Sequence, residues 1–357
     1  MNVMTKPAAR TERLFSKKLD FKSGVIDLSH GSGGKASAQL FEELFKPAFA
    51  NPLLESGDDQ ARFAGAARMV IATDGHVVNP LVFPGGDIGC LSVHGTVNDI
   101  AMSGAIPKYL TAGFILEEGF ALSALRTIVH SMADAARAAN VQIIAGDTKV
   151  VERGSGDGVF ITTTGVGFIP DDLIDPPAAD KARPGDAILV SGNLGDHGVT
   201  VLAAREALPL VTPITSDTAA LHTLVAELLK AVPDVRVLRD PTRGGLATAL
   251  NELCRSSGTG ALLKEADIPI RKTVDAACEI LGVDPLYLAN EGKLIAIVPA
   301  EQAETALKSM QAHPLGRDAA IIGEIVEDRN GFVQMETAMG GRRMVDWLTG
   351  DPLPRIC

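Results

Sequence analysis

Residues 121–166 read ALSALRTIVHSMADAARAANVQIIAGDTKVVERGSGDGVFITTTGV. Leu122, Leu125, Ile128, Val129, Met132 and Ala136 recur at three- and four-residue intervals, which places one apolar stripe along a helix over 121–139. The apolar run Val141–Ala145 follows directly and predicts a strand that stops at Gly146-Asp147-Thr148-Lys149. The β-branched run from Val159 to Val166 predicts another strand. A helix feeding one strand and then another indicates an α/β or α+β domain.

Upstream, residues 36–50 (ASAQLFEELFKPAFA) carry Leu40, Phe41, Leu44, Phe45 and Phe49 at helical spacing after a glycine-rich loop. Met69–Thr73 predicts a short buried strand ending at Asp74. Downstream, residues 170–186 (PDDLIDPPAADKARPGD) are rich in proline and charge and mark a domain boundary. Beyond it Ala187–Val190 predicts a strand, Gly192–Gly198 a loop, 199–207 a helix, and a second α/β unit extends to about Trp347. The last ten residues, LTGDPLPRIC, hold two prolines and few core formers, so they form an extended, flexible tail. At roughly 3.1–3.5 Å per residue such a tail reaches about 30 Å. The chain thus divides into an N-terminal extension (1–22), an N-terminal domain (23–175), a C-terminal domain (176–347) and the tail (348–357).

The 357 residues are 46% hydrophobic and 22% charged, enough to bury two cores. Thirty-six glycines exceed the usual ~7% share and predict tight turns and loops near ligands. A net charge of −11 argues against non-specific binding of nucleic acid or anionic membrane. No run of 18 apolar residues appears, so no span is expected. Met1–Lys22 leans basic without an apolar h-region, which disfavours a secretory signal. Cys90, Cys254, Cys278 and Cys357 lack CxxC spacing and fit a reducing cytoplasm better than zinc or disulfides.

Several residues suit chemistry. His30-Gly31-Ser32-Gly33-Gly34-Lys35 is glycine-rich but lacks the GxxxxGK[ST] spacing, so it is a phosphate loop of another kind or a flexible helix lead-in. Asp59, Asp74, Asp99 and Asp147 each fall in a short break beside an apolar run. Carboxylates so placed hold a hard cation such as Mg²⁺ that bridges phosphates, or cap helices and close turns. Lys149 suits a phosphate or a developing oxyanion, or is a solvated surface lysine. Glu291, in Asn290-Glu291-Gly292-Lys293 before the strand Leu294–Val298, suits a general base or a turn. His76, His94 and His197 lack ligand spacing and read as structural. Cys357 packs no core at the chain end and suits a nucleophile on a swinging arm. The terminal carboxylate raises its thiol pKa and Arg355 offsets that.

In order, HGSGG (30–34), FPGGDIG (83–89), GTVNDIAMSGAIP (95–107), GFILEEG (113–119), GDTKVV (146–151), RDPTRGGLAT (239–248), ANEGK (289–293) and the terminal PRIC (354–357) closely resemble the HypE family of hydrogenase maturation factors. The resemblance runs from about Leu28 to Cys357. It implies a two-domain aminoimidazole-ribonucleotide-synthetase-like fold, a homodimer paired through its N-terminal sheets, and ATP with Mg²⁺ on the N-terminal domain. It also implies a reaction in which Cys357 receives a carbamoyl group from the carbamoyltransferase HypF. ATP drives its dehydration from thiocarboxamide to thiocyanate, and the cyano group passes to iron on the HypC–HypD scaffold for [NiFe] hydrogenase. On that reading Asp59, Asp74, Asp99, Asp147 and Thr148 position metal and nucleotide, Lys149 stabilises transferred charge, and Glu291 takes the protons. Two rival readings are a superfamily enzyme acting on a free small molecule and a non-enzymatic carrier. The first has no use for the PRIC tail, the second none for Lys149 and Glu291.

Overall fold

The computed structural model describes residues 15, 17–56, 60–205, 214–350 and 355–357, so Asp59 and most of the N-terminal extension lie outside the described residues. Lys35–Leu40 (α1), a π-helical turn at Phe41–Phe45 and Lys46–Ala48 (α2) form one continuous helical stretch. Pro47 has no N–H for the carbonyl one turn back, and the helix widens there. There follow β1 (Met69–His76), the short pair β2 (Val82–Phe83) and β3 (Gly86–Asp87), α3 (Ile88–Ala101), β4 (Ile106–Glu117), α4 (Leu122–Ala138), β5 (Gln142–Val151) and β6 (Val159–Phe168). Asp87 caps α3, accepting from the amides of Gly89 at 2.7 Å and Cys90 at 3.0 Å.

The four long strands form a sheet in the order β1-β6-β4-β5, with only β4 and β5 parallel, joined through α4. The helices cover one face. Leu125, Ile128, Val129 and Met132 of α4 are all buried there against the sheet. On β6, Gly165 and Gly167 admit α3: a Cβ would meet Ile100 at 2.5 and 2.3 Å. Among the described residues no helix covers the opposite face, and Ile71 (73% exposed), Met69, Ile106 and Ile115 stand open on the N-terminal strands.

Three local expectations change. β1 is a half-exposed edge strand that runs two residues past Asp74, because β6 pairs with it as far as His76↔Ile161. β5 runs through Gly146–Lys149, since the twelve-residue β4 offers partners up to Glu117↔Val151, and Gly146 lies flat against Ala112, where a Cβ would meet the carbonyl at 2.4 Å. Asp99 stands in the last turn of α3, not in a break; the helix tolerates polar residues there because that turn faces the second half of the chain.

The second half comprises β7 (Ala187–Val190), α5 (Asp196–Arg205), α6 (His222–Ala231), β8 (Val237–Arg239), α7 (Gly245–Ser257), β9 (Gly260–Lys264), α8 (Lys272–Leu281), β10 (Ile295–Val298), α9 (Ala303–Ala312), β11 (Ala320–Val326), β12 (Val333–Glu336) and β13 (Arg342–Met344). Its seven-stranded sheet runs β13-β12-β9-β11-β7-β10-β8. α6 and α9 pack on one face and α7 on the other. Strands β7 and β10 lie between these layers with every residue buried, which explains their unbroken apolar sequences. Helices α5 and α8 instead add Val199, Leu202, Val274 and Ala277 to the N-terminal core, which locks the two halves together.

Candidate functional site

Two cavities collect the candidate residues. The first, of about 230 Å³, lies on the helix-covered face beside β5. The glycine loop (His30, Gly31, Gly33), Phe41, Phe45, Phe114 and Ile143 line it together with Asp147, Thr148 and Lys149. Gly31 sits so close to β5 that a Cβ would meet the Val150 amide at 2.4 Å, which brings the loop onto the GDTK segment. Lys149 Nζ pairs with Asp147 at 2.8 Å in the open. That lysine, through its hydrogen bond, holds the Asp147 carboxyl below its ordinary value. An exposed pair of this kind contributes little to stability, so the ammonium is free to meet a ligand's negative charge.

The second cavity, of about 520 Å³, opens between the two halves. Asp74 and Asp99 enter it from β1 and α3, Arg239, Asp240, Arg243 and Glu291 from the other side, and Cys357 from the docked tail. Asp99 opens onto the cavity, yet desolvation, then the Asp240 and Asp74 carboxylates, push its carboxyl up to about 7. Burial pushes Asp240 up to about 6. Such a crowd of carboxylates has the oxygen donors that a hard divalent ion requires. Among the described residues, however, no three His, Cys, Asp or Glu side chains of one chain are grouped to hold a metal.

Glu291 is the most constrained member. It is 3% exposed, and its Oε1 has no hydrogen-bond partner among the described residues. Burial first, then the carboxylates of Asp240, Asp217 and Asp74, raise its carboxyl well above the ordinary value. Its loop is clamped from both sides. Asn290 accepts from the Gly195 amide at 2.8 Å and gives its backbone N–H and its Nδ2 to the Pro241 carbonyl, each at 3.1 Å. The Glu291 amide donates to Asp217 Oδ1 at 3.1 Å, while Lys293 Nζ meets Asp217 Oδ2 at 3.0 Å in a buried ion pair.

The sequence leaves open whether the tail turns in or out; its last three residues are docked inward. The amides of Val77 and Asn79 donate to the carbonyls of Cys357 (3.2 Å) and Arg355 (3.1 Å), so the tail end lies antiparallel to the segment that leaves β1. Ile356, 4% exposed, is inserted into the N-terminal core. Cys357 and Glu291 line the same cavity, and burial followed by the Glu291 charge raises the thiol well above its ordinary value. The expected influence of Arg355 on the thiol is not found: that guanidinium pairs with Asp157 at 2.6 Å, and Arg243 is the cation that favours the thiolate.

Within one chain, then, Asp74, Asp99, Glu291 and Cys357 come together, and Asp147, Thr148 and Lys149 gather elsewhere. The register Asp74↔Thr163↔Ala112↔Gly146 puts the two groups on opposite edge strands, about 14 Å apart at ~4.8 Å per strand. The histidines are structural in type. His94 meets Thr218 at 3.0 Å, His76 lies buried beside Thr163, and His197 touches the tail. Reading the residues one by one missed Asp240 and Arg243. Their signal was the double glycine after Arg243, since Gly244 and Gly245 take φ of 74° and 59° to turn that loop into the cavity.

The class follows from this architecture. Residues 57–169 match the family described as AIR synthase related protein, N-terminal domain, and residues 183–336 match its C-terminal domain. Thiamine-monophosphate kinase of Stenotrophomonas maltophilia shares the fold at 20% identity with a TM-score of 0.63. Within that class the chain belongs to the HypE family of carbamoyl dehydratases involved in hydrogenase maturation. It is 62% identical to carbamoyl dehydratase HypE of Cupriavidus necator over 345 residues, 96% of this chain and 98% of that one. Against carbamoyl dehydratase HypE of Escherichia coli K12 the identity is 48%, over 93% of this chain and 99% of the relative. A solved structure of hydrogenase maturation protein HypE in complex with ATP superposes with a TM-score of 0.89 at 50% identity, covering 92% of this chain and 99% of that one. The HypE chain of a HypE–HypF complex superposes at 0.76, with 47% identity and 87% and 99% coverage. No helix among the described residues is long and apolar enough to cross a membrane.

Proposed function

We propose that this protein uses ATP to dehydrate a carbamoyl group carried on Cys357, converting the thiocarboxamide to a thiocyanate. The observation that carries this reading is the docking of Cys357 against the buried carboxyl of Glu291. An amide oxygen is a poor leaving group, so it first attacks the γ-phosphorus and displaces ADP. Glu291 then takes a proton from nitrogen, the C–O bond breaks with loss of phosphate, and the second N–H proton goes to solvent or phosphate. One water's atoms leave with the phosphate, and S–C≡N remains. A carboxyl with a raised pKa suits proton removal near neutral pH better than an ordinary one.

The apolar and aromatic wall of the first cavity suits a nucleotide base, and the glycine loop with Thr148 and Lys149 suits its phosphates. Mg²⁺, which spreads phosphate charge when bound, would be held by Asp74 and Asp99 of one copy with Asp147 of the partner subunit; Asp59, also expected there, lies outside the described residues. The uncovered sheet face supports a homodimer. A two-fold axis along the strands would set the β1 edge of one copy beside the β5 edge of its partner and bring Lys149 to the partner's Cys357. The carbamoyl group would come from HypF in the cytoplasm, and the cyano group would leave to iron on HypC–HypD for a [NiFe] centre.

Carbamoylated protein given Mg-ATP should lose one water from its C-terminal peptide as ADP and phosphate form. Intact-mass analysis that found ATP turnover without that loss would remove the assignment. Cys357→Ala should bind ATP and accept no carbamoyl group; a carbamoyl group appearing on Cys90, Cys254 or Cys278 would contradict the carrier role.

A further inference from the structure

We propose that His197 and Arg205 are positioning residues that hold Cys357 in register with Glu291 by gripping the backbone carbonyls of the two residues before it. His197 Nε2 lies 2.8 Å from the Ile356 carbonyl. A carbonyl only accepts, so Nε2 carries the hydrogen, and Nδ1 accepts from the Ser216 hydroxyl at 2.8 Å. Ser216 Oγ in turn accepts the Thr218 amide at 3.1 Å, and the ring stands edge-on to Phe83 at 5.5 Å. The imidazole therefore has one tautomer and one orientation. Arg205, at the end of α5, donates to the Arg355 carbonyl at 2.7 Å and to the Asn79 carbonyl at 3.0 Å.

The geometry matters because the Ile356–Cys357 peptide plane and the Cys357 carbonyl set where its Cβ points. His197 holds the first and the Val77 amide the second. The same short loop orients the base: Ser216 fixes His197, and its neighbour Asp217 fixes the Glu291 amide. Both grips act on main-chain oxygens and leave Sγ free, so the tail can dock with a bare or a carbamoylated thiol. This inference rests on Cys357 as the carrier, but thiol accessibility tests the grip without that reaction.

Iodoacetamide labelling of Cys357 in the full chain, followed by mass analysis of the C-terminal peptide, reads the grip directly. His197→Leu should label about five- to tenfold faster, the loss expected for one buried hydrogen bond. His197→Gln, whose amide replaces Nε2–H, should restore most of the protection. Arg205→Ala at the surface should also label several-fold faster, and serves if the Leu variant does not fold. Cys254 and Cys278 should stay unlabelled, and in carbamoylated protein turnover should fall with ATP affinity unchanged. Unchanged Cys357 labelling in both His197→Leu and Arg205→Ala, equal behaviour of the Leu and Gln variants, or parallel exposure of Cys254 and Cys278 would overturn the proposal.

Discussion

At Glu291, catalytic fitness and stability pull in opposite directions. An isolated buried carboxylate is costly, so the folded chain keeps this group protonated to higher pH than the unfolded chain does. Between the ordinary carboxyl value of ~4.3 and the raised folded value, the folded state binds more protons than the unfolded state. Stability attributable to Glu291 therefore falls as pH rises through that window. Its capacity as a base grows over the same range, because only the ionised form takes a proton. Glu291→Gln should slow nitrile formation by about 10²–10⁴-fold, the usual worth of a positioned general base. The same variant should melt higher than the parent at pH 8, with the gap closing towards pH 5. Single-turnover rates on carbamoylated protein and thermal melts across pH check both halves. A variant that is slow but equally stable at every pH would point to a base that is not buried in charge-excluding surroundings.

At the level of elements, the site depends on loops pressed together by glycine. Gly245 opens α7 at φ 59°, and a Cβ there would meet the Leu286 and Leu288 carbonyls at 2.5 and 2.6 Å. Gly245→Ala thus combines left-handed strain with a backbone clash and should cost about 1–3 kcal/mol or more. Thermal unfolding should record a fall of several degrees, and Arg243 and Asp240 should lose their alignment with Glu291. Carbamoyl dehydration should suffer more in this variant than ATP binding does. The sequence showed such features unevenly. Helices with a clear apolar stripe, such as Leu122–Ala138, and all-apolar strands such as Ile295–Val298 were plain, because burial on one side or both leaves a direct periodic trace. Strand ends were not: Gly146–Lys149 looks like a loop, yet its partner strand keeps it extended. Glu291 and Cys357 could be singled out because the NEGK and PRIC segments resemble those of the HypE family. Asp217, His197 and Arg205 could not, since each matters through a contact over 19 to 159 residues in sequence.

The whole molecule poses a problem that one chain does not solve. Lys149 and Cys357 lie in different cavities on opposite edges of a four-stranded sheet, too far apart for one ammonium to serve the other's chemistry. Neither edge strand pairs with a further strand among the described residues, and one sheet face exposes Ile71 at 73% with Met69, Ile106 and Ile115. An apolar sheet face with two free edges is a hazard for an isolated protein and a natural seam for a symmetric pair. If the pair forms about an axis along the strands, each active site takes its thiol from one subunit and its lysine from the other. Lys149→Ala and Cys357→Ala homodimers should both be inactive. Mixed dimers of the two variants should regain up to half of the activity per dimer, because one of their two sites then contains both groups. Were thiol and lysine required from the same chain, mixing would restore nothing. Ile71→Arg, which buries a charge in the seam, should shift the protein to monomer in sedimentation and remove dehydration while leaving Cys357 docked. Dimers that persist unchanged in that variant would place the seam elsewhere on the molecule.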